Sequence, residues 1–518
     1  MKVIRGLYRG FYLHLTLVSL CVILILLTNF TPAISAQKDR IIVGFPSKLP
    51  TLDQYGSIDR MSIYIAQLMW DTPVIRDPQS GKIKPHLAQS WKIIEPTIWE
   101  FKLVPGVKFH NGNPLTAEAV RFTIEDRILA EKQKSPYRTG FTWLKKVEVL
   151  NDLTFRIITH KSYPLVLERL VALAVYDPKE TKEKGDAWVA EHPMGTGPYK
   201  FVKWDRGSQL VMKANPNYWL KGLPKTGNLI IRILPEISTR LAELISGGID
   251  VGLWFTSDQW NVLEKAKGVK PLDVKTMRIN FWQFDSACRA SKSPVQDLRV
   301  RRAIWHAIDR EKIIKTVISG RAELLNTPVL PVQFGFDPSI KGYEYNPKKA
   351  KALLKEAGYQ NGVTLNLWQY MDFQDQPNQA AMGYLEAVGI KIKLHDYRGN
   401  IGQLITLRNS GKVTDIGNFG WGSFGIFDAD AVLPYFFMLD APMCYNRDSM
   451  VDALLREARV SVDQSKRKEL YEKAQKRIFD QAYCMPFFIS HQIYGVNENV
   501  NLIVSSDEIP QLQSVHWK

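Results

Sequence analysis

The chain has 518 residues, of which 45% are hydrophobic, 23% charged and 11% aromatic. That length predicts about two or three domains, and the composition excludes a disordered or low-complexity chain. The formal net charge is +16. It could draw acidic ligands, but the basic residues are scattered without the stripe or motif of a nucleic-acid reader, so a solvated basic surface is the favoured reading.

The N-terminus reads as an export signal. Lys2, Arg5 and Arg9 precede the apolar run FYLHLTLVSLCVILILL, and Ala33, Ser35 and Ala36 suit a signal peptidase cutting after Ala36. Residues 1–36 are therefore expected to direct the chain to the periplasm. The run exceeds the usual ~7–15 residues, which leaves an uncleaved anchor open, although His14 within hydrocarbon would be costly. No later segment is apolar for the ~20 residues a membrane-spanning helix needs. Beyond the leader lie Cys288, Cys444 and Cys484, without metal-binding spacing. They permit one disulfide or three buried thiols.

In chain order, RIIVGFPS predicts a strand and SIDRMSIYIAQLMW a helix. WEFKLVPGVKFHNGNPLTAEAV predicts strand, turn, strand and a helix capped by Thr116. LRVRRAIWHAIDREKIIKTVI gives two helices, the second capped by Asp309. YNPKKAKALLKEAGY gives one between the cap Asn346 and the stop Gly358. VGIKIKLHDY alternates like a strand, and SKRKELYEKAQKRIF places Leu470, Ala474 and Ile478 on one helix face. Strands and helices mixed in this irregular order mean an α/β or α+β fold.

The segment GWGSFGIFDAD, residues 420–430, is the most unusual stretch. As a nucleophile elbow it fails, because Trp421 stands where the first glycine of G-x-S-x-G belongs. As a calcium loop it fails, because Asp428 and Asp430 lack the glycine and glutamate at the required offsets. No phosphate loop or zinc helix occurs elsewhere. Neither catalysis, metal nor cofactor is expected, and a cryptic hydrolase is the weakest reading.

Several phrases together resemble one family. KIKPHLAQSWKI, WEFKLVPGVKFHNGNPLTAEAV, MGTGPYKFVKW, NPNYW, RLAELISGGIDV, LRVRRAIWHAIDREKI, YNPKKAKALLKEAGY and KRKELYEKAQKRI are similar, in order, to phrases of the extracellular family 5 solute-binding proteins of ABC importers for peptides and nickel. The resemblance runs over roughly residues 40–500. It implies a two-lobed α/β fold of the type II periplasmic-binding-protein class with an extra subdomain. The first lobe would comprise residues 37–83, 191–279 and 491–518, the inserted subdomain residues 84–190, and the second lobe residues 280–490. A small-molecule or peptide-like ligand would bind between lobes that close about a hinge. The partner would be an inner-membrane ABC permease with ATPase subunits, and the binding protein itself a monomer without cofactor. A membrane-tethered sensor or chaperone using the same cleft is the alternative.

In similar peptide binders the phrase Gly-Trp-x-x-Asp faces the cleft, and its aspartate pairs with the peptide's amino terminus. Here that position is Phe424, which offers apolar area or a cation–π face worth roughly 0.5–2 kcal/mol. Asp428 or Asp430 would replace the anchor if turned inward; otherwise both are solvated turn acids. The resemblance puts Trp421, Gly422, Ser423, Phe424, Phe427 and Asp428 at the cleft on the second lobe. Tyr55 joins them from TLDQYG, with Trp254, Trp282 and Phe284. The aromatic members could stack on a planar or sugar-like ligand, or about half of them could be core.

Overall fold

The computed structural model describes residues 39–57, 59–398, 400–422 and 425–518. The leader and two candidate residues, Ser423 and Phe424, lie outside the described residues. An eleven-stranded mixed sheet runs through the whole chain. One half orders the strands Tyr199–Asp205, Gln209–Ala214, Asn228–Ile233, Arg40–Phe45 and Val251–Phe255. The other orders Ile416–Gly422, Val363–Gln369 and Ile390–Asp396. Arg40–Phe45 shows why such strands form. Its β-branched run buries Ile41, Val43 and Phe45 completely, and parallel partners on both sides keep it inside the sheet.

Two long antiparallel strands, Val269–Phe284 and Cys484–Asn497, join the halves. Sixteen residues at strand rise span about 50 Å, enough to reach from one core into the next. Val269 and Ile493 pack in a first-lobe cluster, while Trp282 and Phe284 pack in a second-lobe cluster. The ladder runs from Val269–Asn497 to Gln283–Cys484, with register shifts between Lys275 and Ile279 and between Asn280 and Phe281. Such irregularities bend a ribbon and raise its twist, so the departure from regular pairing falls where one lobe hands over to the other.

A separate four-stranded antiparallel sheet orders Ala88–Glu95, Ile98–Leu103, Thr154–Thr159 and Leu144–Asn151. Its core stacks Phe101 on Phe155 with ring centres 5.1 Å apart. The predicted strand through Val107 and Phe109 is instead a tight loop carrying one bridge between Lys108 and Pro114. Both side chains are still buried, which is why their alternation imitates a strand. The loop's polar groups go elsewhere: the His110 amide donates to Gly195 O (2.8 Å) and Lys200 donates to His110 O (3.0 Å).

Helix boundaries follow their caps. Asp59 accepts from Met61 and Ser62 N–H ahead of Arg60–Met69. Asp309 accepts from Lys312 N–H, and Asn346 accepts from Lys349 N–H. Thr116 precedes Ala117–Arg121 without a side-chain cap bond, and that short helix continues as a π-helical stretch over Phe122–Leu129. Cys288, Cys444 and Cys484 are free thiols, the latter two buried. Among the described residues no helix is long and apolar enough to cross a membrane.

Two sequence phrases owe their form to one junction. Buried Asp71 accepts from the Thr196 hydroxyl, the Tyr218 hydroxyl and the Trp219 indole, each at 2.9 Å, tying MGTGPYKFVKW to NPNYW. Beside it, a Cβ on Gly195 would sit 2.0 Å from Met69 O and 2.7 Å from the Trp70 ring. Backbone cannot yield as a flexible side chain would, so Gly195→Ala is expected to destabilise by about 3 kcal/mol, read as a lowered urea midpoint at unchanged slope.

His110 offers a pH test at the same junction. Burial pushes its imidazole down to about 4, against the opposing bond from its Nε2 to Gly197 O (2.9 Å). The folded state keeps this ring neutral while the unfolded state protonates near the ordinary value of 6.5. Stability is therefore full above that value and falls as pH drops toward 4, by up to about 3 kcal/mol. Denaturant melts between pH 4 and 7 are expected to show that loss in the wild type and a correspondingly flatter profile in His110→Gln.

Candidate functional site between the lobes

A cavity of about 560 Å³ opens between the lobes beside the long paired strands. The first lobe contributes Trp254 and Phe255, the long strands contribute Arg278 and Ser490–Ile493, and the second lobe contributes Tyr370, Met371 and Phe373. Local backbone aims these side chains. The ladder between Val251–Phe255 and Cys484–Asn497 slips between Gly252 and Phe255, and Trp254 takes φ +59°, a conformation a bulky residue holds only under constraint. That constraint is the Arg240 guanidinium, which donates to Trp254 O (3.0 Å) and also to Pro235 O (3.2 Å). On the facing wall, a Cβ at Gly420 would meet Met371 Sδ at 2.5 Å and the Phe373 ring at 2.7 Å. Glycine is therefore what lets that wall close on the strand. The Tyr370 hydroxyl fastens it, donating to Gly420 O (3.1 Å).

Most charged groups at the cavity are compensated within the protein, whereas Asp258 of the lining accepts, among the described residues, only from the Thr256 hydroxyl and the Gln259 amide. Glu508 accepts from Arg278 Nε and Nη2, both at 2.9 Å, and lies 3.6 Å from Arg60. Burial alone would raise the Glu508 carboxyl, yet the two arginines hold it below the usual carboxylate range. Arg321 lies 3.5 Å over the Trp260 ring and 3.4 Å from Asp273, and Asp375 lies 3.2 Å from Arg398. What the cavity offers a solute is thus aromatic and apolar surface from Trp254, Tyr370 and Phe373, with polar side chains such as Gln376, Gln492 and the Asp258 carboxylate among it. Among the described residues no cluster of His, Cys, Asp or Glu could hold a metal ion.

The segment from Gly425 onward meets the first lobe. Glu168, on the helix Val166–Leu170, accepts from Arg76 (2.5 Å) and from the Phe427 N–H (2.9 Å). Arg76 donates onward to Gly425 O (3.1 Å), and its guanidinium lies 4.0 Å from the Phe427 ring centre. Asp430 pairs with Arg459 of its own lobe at 2.8 Å and with Arg169 of the first lobe at 3.6 Å. These contacts form a latch across the cleft.

Of the residues named from the sequence, Trp254 lines the cavity, Gly422 faces Arg60 and Arg278, and Phe427 meets the first lobe. Trp421 is half-buried. Its indole donates to Ala431 O (2.7 Å), and its ring packs on Tyr435 and Phe436 of the second lobe. The structure corrects four others. Trp282 and Phe284 are wholly inside the second-lobe core, the former donating to Asn378 Oδ1 (3.1 Å). Tyr55 is buried in the first lobe, its hydroxyl on Ala174 O. Burying a side chain such as Phe284 stabilises by roughly 1.5–3 kcal/mol, which holds it in a core rather than a wet wall. Asp428 is bound by both terminal nitrogens of Arg467 at 2.6 and 2.7 Å inside the second lobe. Burial pushes its carboxyl up to about 6 against the pull of that arginine. Neither Asp428 nor Asp430 is a solvated turn acid, and neither is left open as an anchor.

Sequence reasoning missed Tyr370, Phe373 and Arg278 in the cavity and Arg76 and Glu168 in the latch. MDFQD carries no periodic signal, and Arg76 and Glu168 come together over 92 residues of chain. Only the gathering of aromatics around MDFQD could have marked that stretch.

Comparison with known proteins agrees with this geometry. Residues 82–440 match the family model described as bacterial extracellular solute-binding proteins, family 5 Middle. Heme-binding protein A of Haemophilus influenzae is 29% identical over 453 residues, covering 80% of each chain. The glutathione-binding protein GsiB of Pectobacterium atrosepticum is 28% identical over 461 residues, covering 86% of this chain and 88% of its own. The periplasmic binding protein DppA of Helicobacter pylori, solved with the peptide STSA, superposes with a TM-score of 0.78 at 24% identity. That superposition covers 94% of this chain and all of DppA, and it speaks for the fold. With the family match extending over well more than half its length, this chain belongs to the extracellular solute-binding proteins of family 5.

Proposed function

We propose that this chain is the periplasmic substrate-binding component of an ABC importer. It is a non-catalytic protein that captures a peptide-like or other small solute between its lobes and delivers it to an inner-membrane permease with ATPase subunits. The observation that carries this reading is the cavity itself. Its walls come from both lobes and from the two strands that join them, so a solute held there touches every part that must move. A ligand shifts the lobes toward closure only to the extent that it binds the closed arrangement better. The wall residues Trp254, Tyr370 and Phe373 supply that difference, because they enclose one solute together only when the lobes meet. The latch adds a ligand-independent share, since Arg76 and Glu168 of the first lobe lose Gly425 and Phe427 when the cleft opens.

Native mass spectrometry of gently purified mature protein is expected to show a discrete added mass that denaturation removes. Trp254→Ala is expected to weaken retention of that mass about tenfold with a melting temperature within about 2 °C of wild type, because the ring's contribution is of the order of 1.4 kcal/mol. Equal retention by the variant would take Trp254 out of the binding site.

Glu168→Gln tests the latch. The variant replaces the charged acceptor of the Phe427 N–H by a neutral one, at a cost of about 1 kcal/mol to the closed arrangement, while the lost pairing with Arg76 falls on open and closed forms alike. Small-angle scattering is expected to give a larger radius of gyration for the variant, and ligand affinity is expected to fall. An unchanged radius would mean that the lobes close without this contact.

A further inference from the structure

The middle of the long paired strands carries a carboxylate–imidazole pair that no contact within the described residues completes. Ser490 and His491 line the cavity. His491 Nδ1 lies 3.0 Å from Asp273 Oδ1, and Arg321 lies 3.4 Å from Asp273 Oδ2. Burial alone would raise the Asp273 carboxyl, yet the histidine and the arginine hold it below its usual range. An ionised carboxylate only accepts, so Nδ1 is the donor, and with one proton on the ring Nε2 presents a lone pair. Nε2 is buried without a hydrogen-bond partner among the described residues, and so is the hydroxyl of Ser490 beside it. Buried polar atoms left unpaired are costly to keep.

We propose that His491 Nε2 and Ser490 Oγ hydrogen-bond hydroxyl groups of an uncharged, polyhydroxylated solute such as a disaccharide, an inference that rests on the solute-binding reading of the cleft. The surroundings select a neutral donor. A solute cation at Nε2 would stand beside Arg321, and a solute carboxylate would bring no proton to the lone pair. The two arginines of the lining are already taken, Arg278 by Glu508 and Arg321 by Asp273, so neither is left to receive a carboxylate. A hydroxyl both donates and accepts and carries no charge. The rest of the wall fits the same solute. Gln376 and Gln492 add neutral amides whose side chains hold no hydrogen bond among the described residues. Trp254, Tyr370 and Phe373 offer aromatic faces to the apolar C–H face of a sugar ring.

The test is calorimetric titration of protein freed of endogenous ligand with maltose, cellobiose, lactose, sucrose and trehalose, and with trialanine as the charged comparator. At least one disaccharide is expected to bind, and to bind at least about tenfold more tightly than trialanine, since each hydroxyl paired in the site adds to that difference. Ser490→Ala and His491→Leu are each expected to weaken that sugar about tenfold. His491→Gln keeps an acceptor oxygen near the place of Nε2 and is expected to lose only about threefold, a partial rescue that a merely structural role would not give. Ser490→Ala removes a hydroxyl that has no partner within the described protein, so it decides the matter should the histidine variants not fold. Undiminished sugar binding in Ser490→Ala or in His491→Leu would overturn the subsite. Binding of trialanine and of no sugar would overturn the solute class while leaving the cleft a binding site. Binding of none of the six would also overturn the solute class, and if native protein retains no added mass either, the solute-binding reading falls with it.

Discussion

The pairing of Val269–Phe284 with Cys484–Asn497 is the constraint on which everything else depends. A single ribbon shared by two cores cannot be optimised for one of them alone. Its ends must be apolar enough to anchor in separate clusters, and its middle must tolerate irregular pairing. The sequence obeys both demands. Trp282, Phe284 and Met485 serve one end and Val269, Ile493 and Val496 the other, while Lys275, Thr276 and Arg278 occupy the stretch between. Thr276 donates to Ser490 O (2.6 Å) in that stretch, replacing a ladder bond where the register slips. Rigid ends and an adaptable middle are what a two-lobed binder requires of its connection.

The cleft is then a problem in charge bookkeeping. Buried charges are tolerable when paired, and breaking such a pair costs several kcal/mol. Glu508 serves two arginines, Glu168 serves one arginine and one amide, and Asp430 serves one arginine from each lobe. Asp428 and Asp430, two positions apart, do different work for this reason. Asp428 faces Arg467 and holds its own lobe together, whereas Asp430 faces outward to Arg169 and feels the state of the cleft.

Much of this was legible in the sequence and some was not. The strand Arg40–Phe45 and the caps Asp309 and Asn346 follow from local chemistry, and the structure has them where periodicity and cap preference place them. Val107 and Phe109 misled because burial, not strand pairing, produced their alternation. Trp282 and Phe284 misled because position along a crossing strand does not reveal which side of the sheet a side chain takes, or that the second lobe would enclose them. The glycines of GWG were read as part of a binding loop. Their physical reason is the close approach of Met371, Phe373, Arg60 and Arg278, all distant in sequence.

The same argument explains why residues 420–430 resisted a local reading. Gly420, Phe427 and Asp428 are specialised by residues distant in the chain. Gly420 is small because Tyr370–Phe373 closes on it, Phe427 is aromatic where Arg76 needs a face, and Asp428 is acidic where Arg467 needs a partner. An aromatic ring over an arginine that is already paired adds roughly 0.5–1 kcal/mol or more as water is excluded, less than the ion pair beside it. At the crossing itself Phe427 gives its ring to Arg76 and its N–H to Glu168, while the Arg76–Glu168 pair holds the first-lobe side of the contact in place. Gly420, Phe427 and Asp428 each answer to another element, so their meaning appears only when those elements are in place, which for Phe427 is also the condition under which a solute is held.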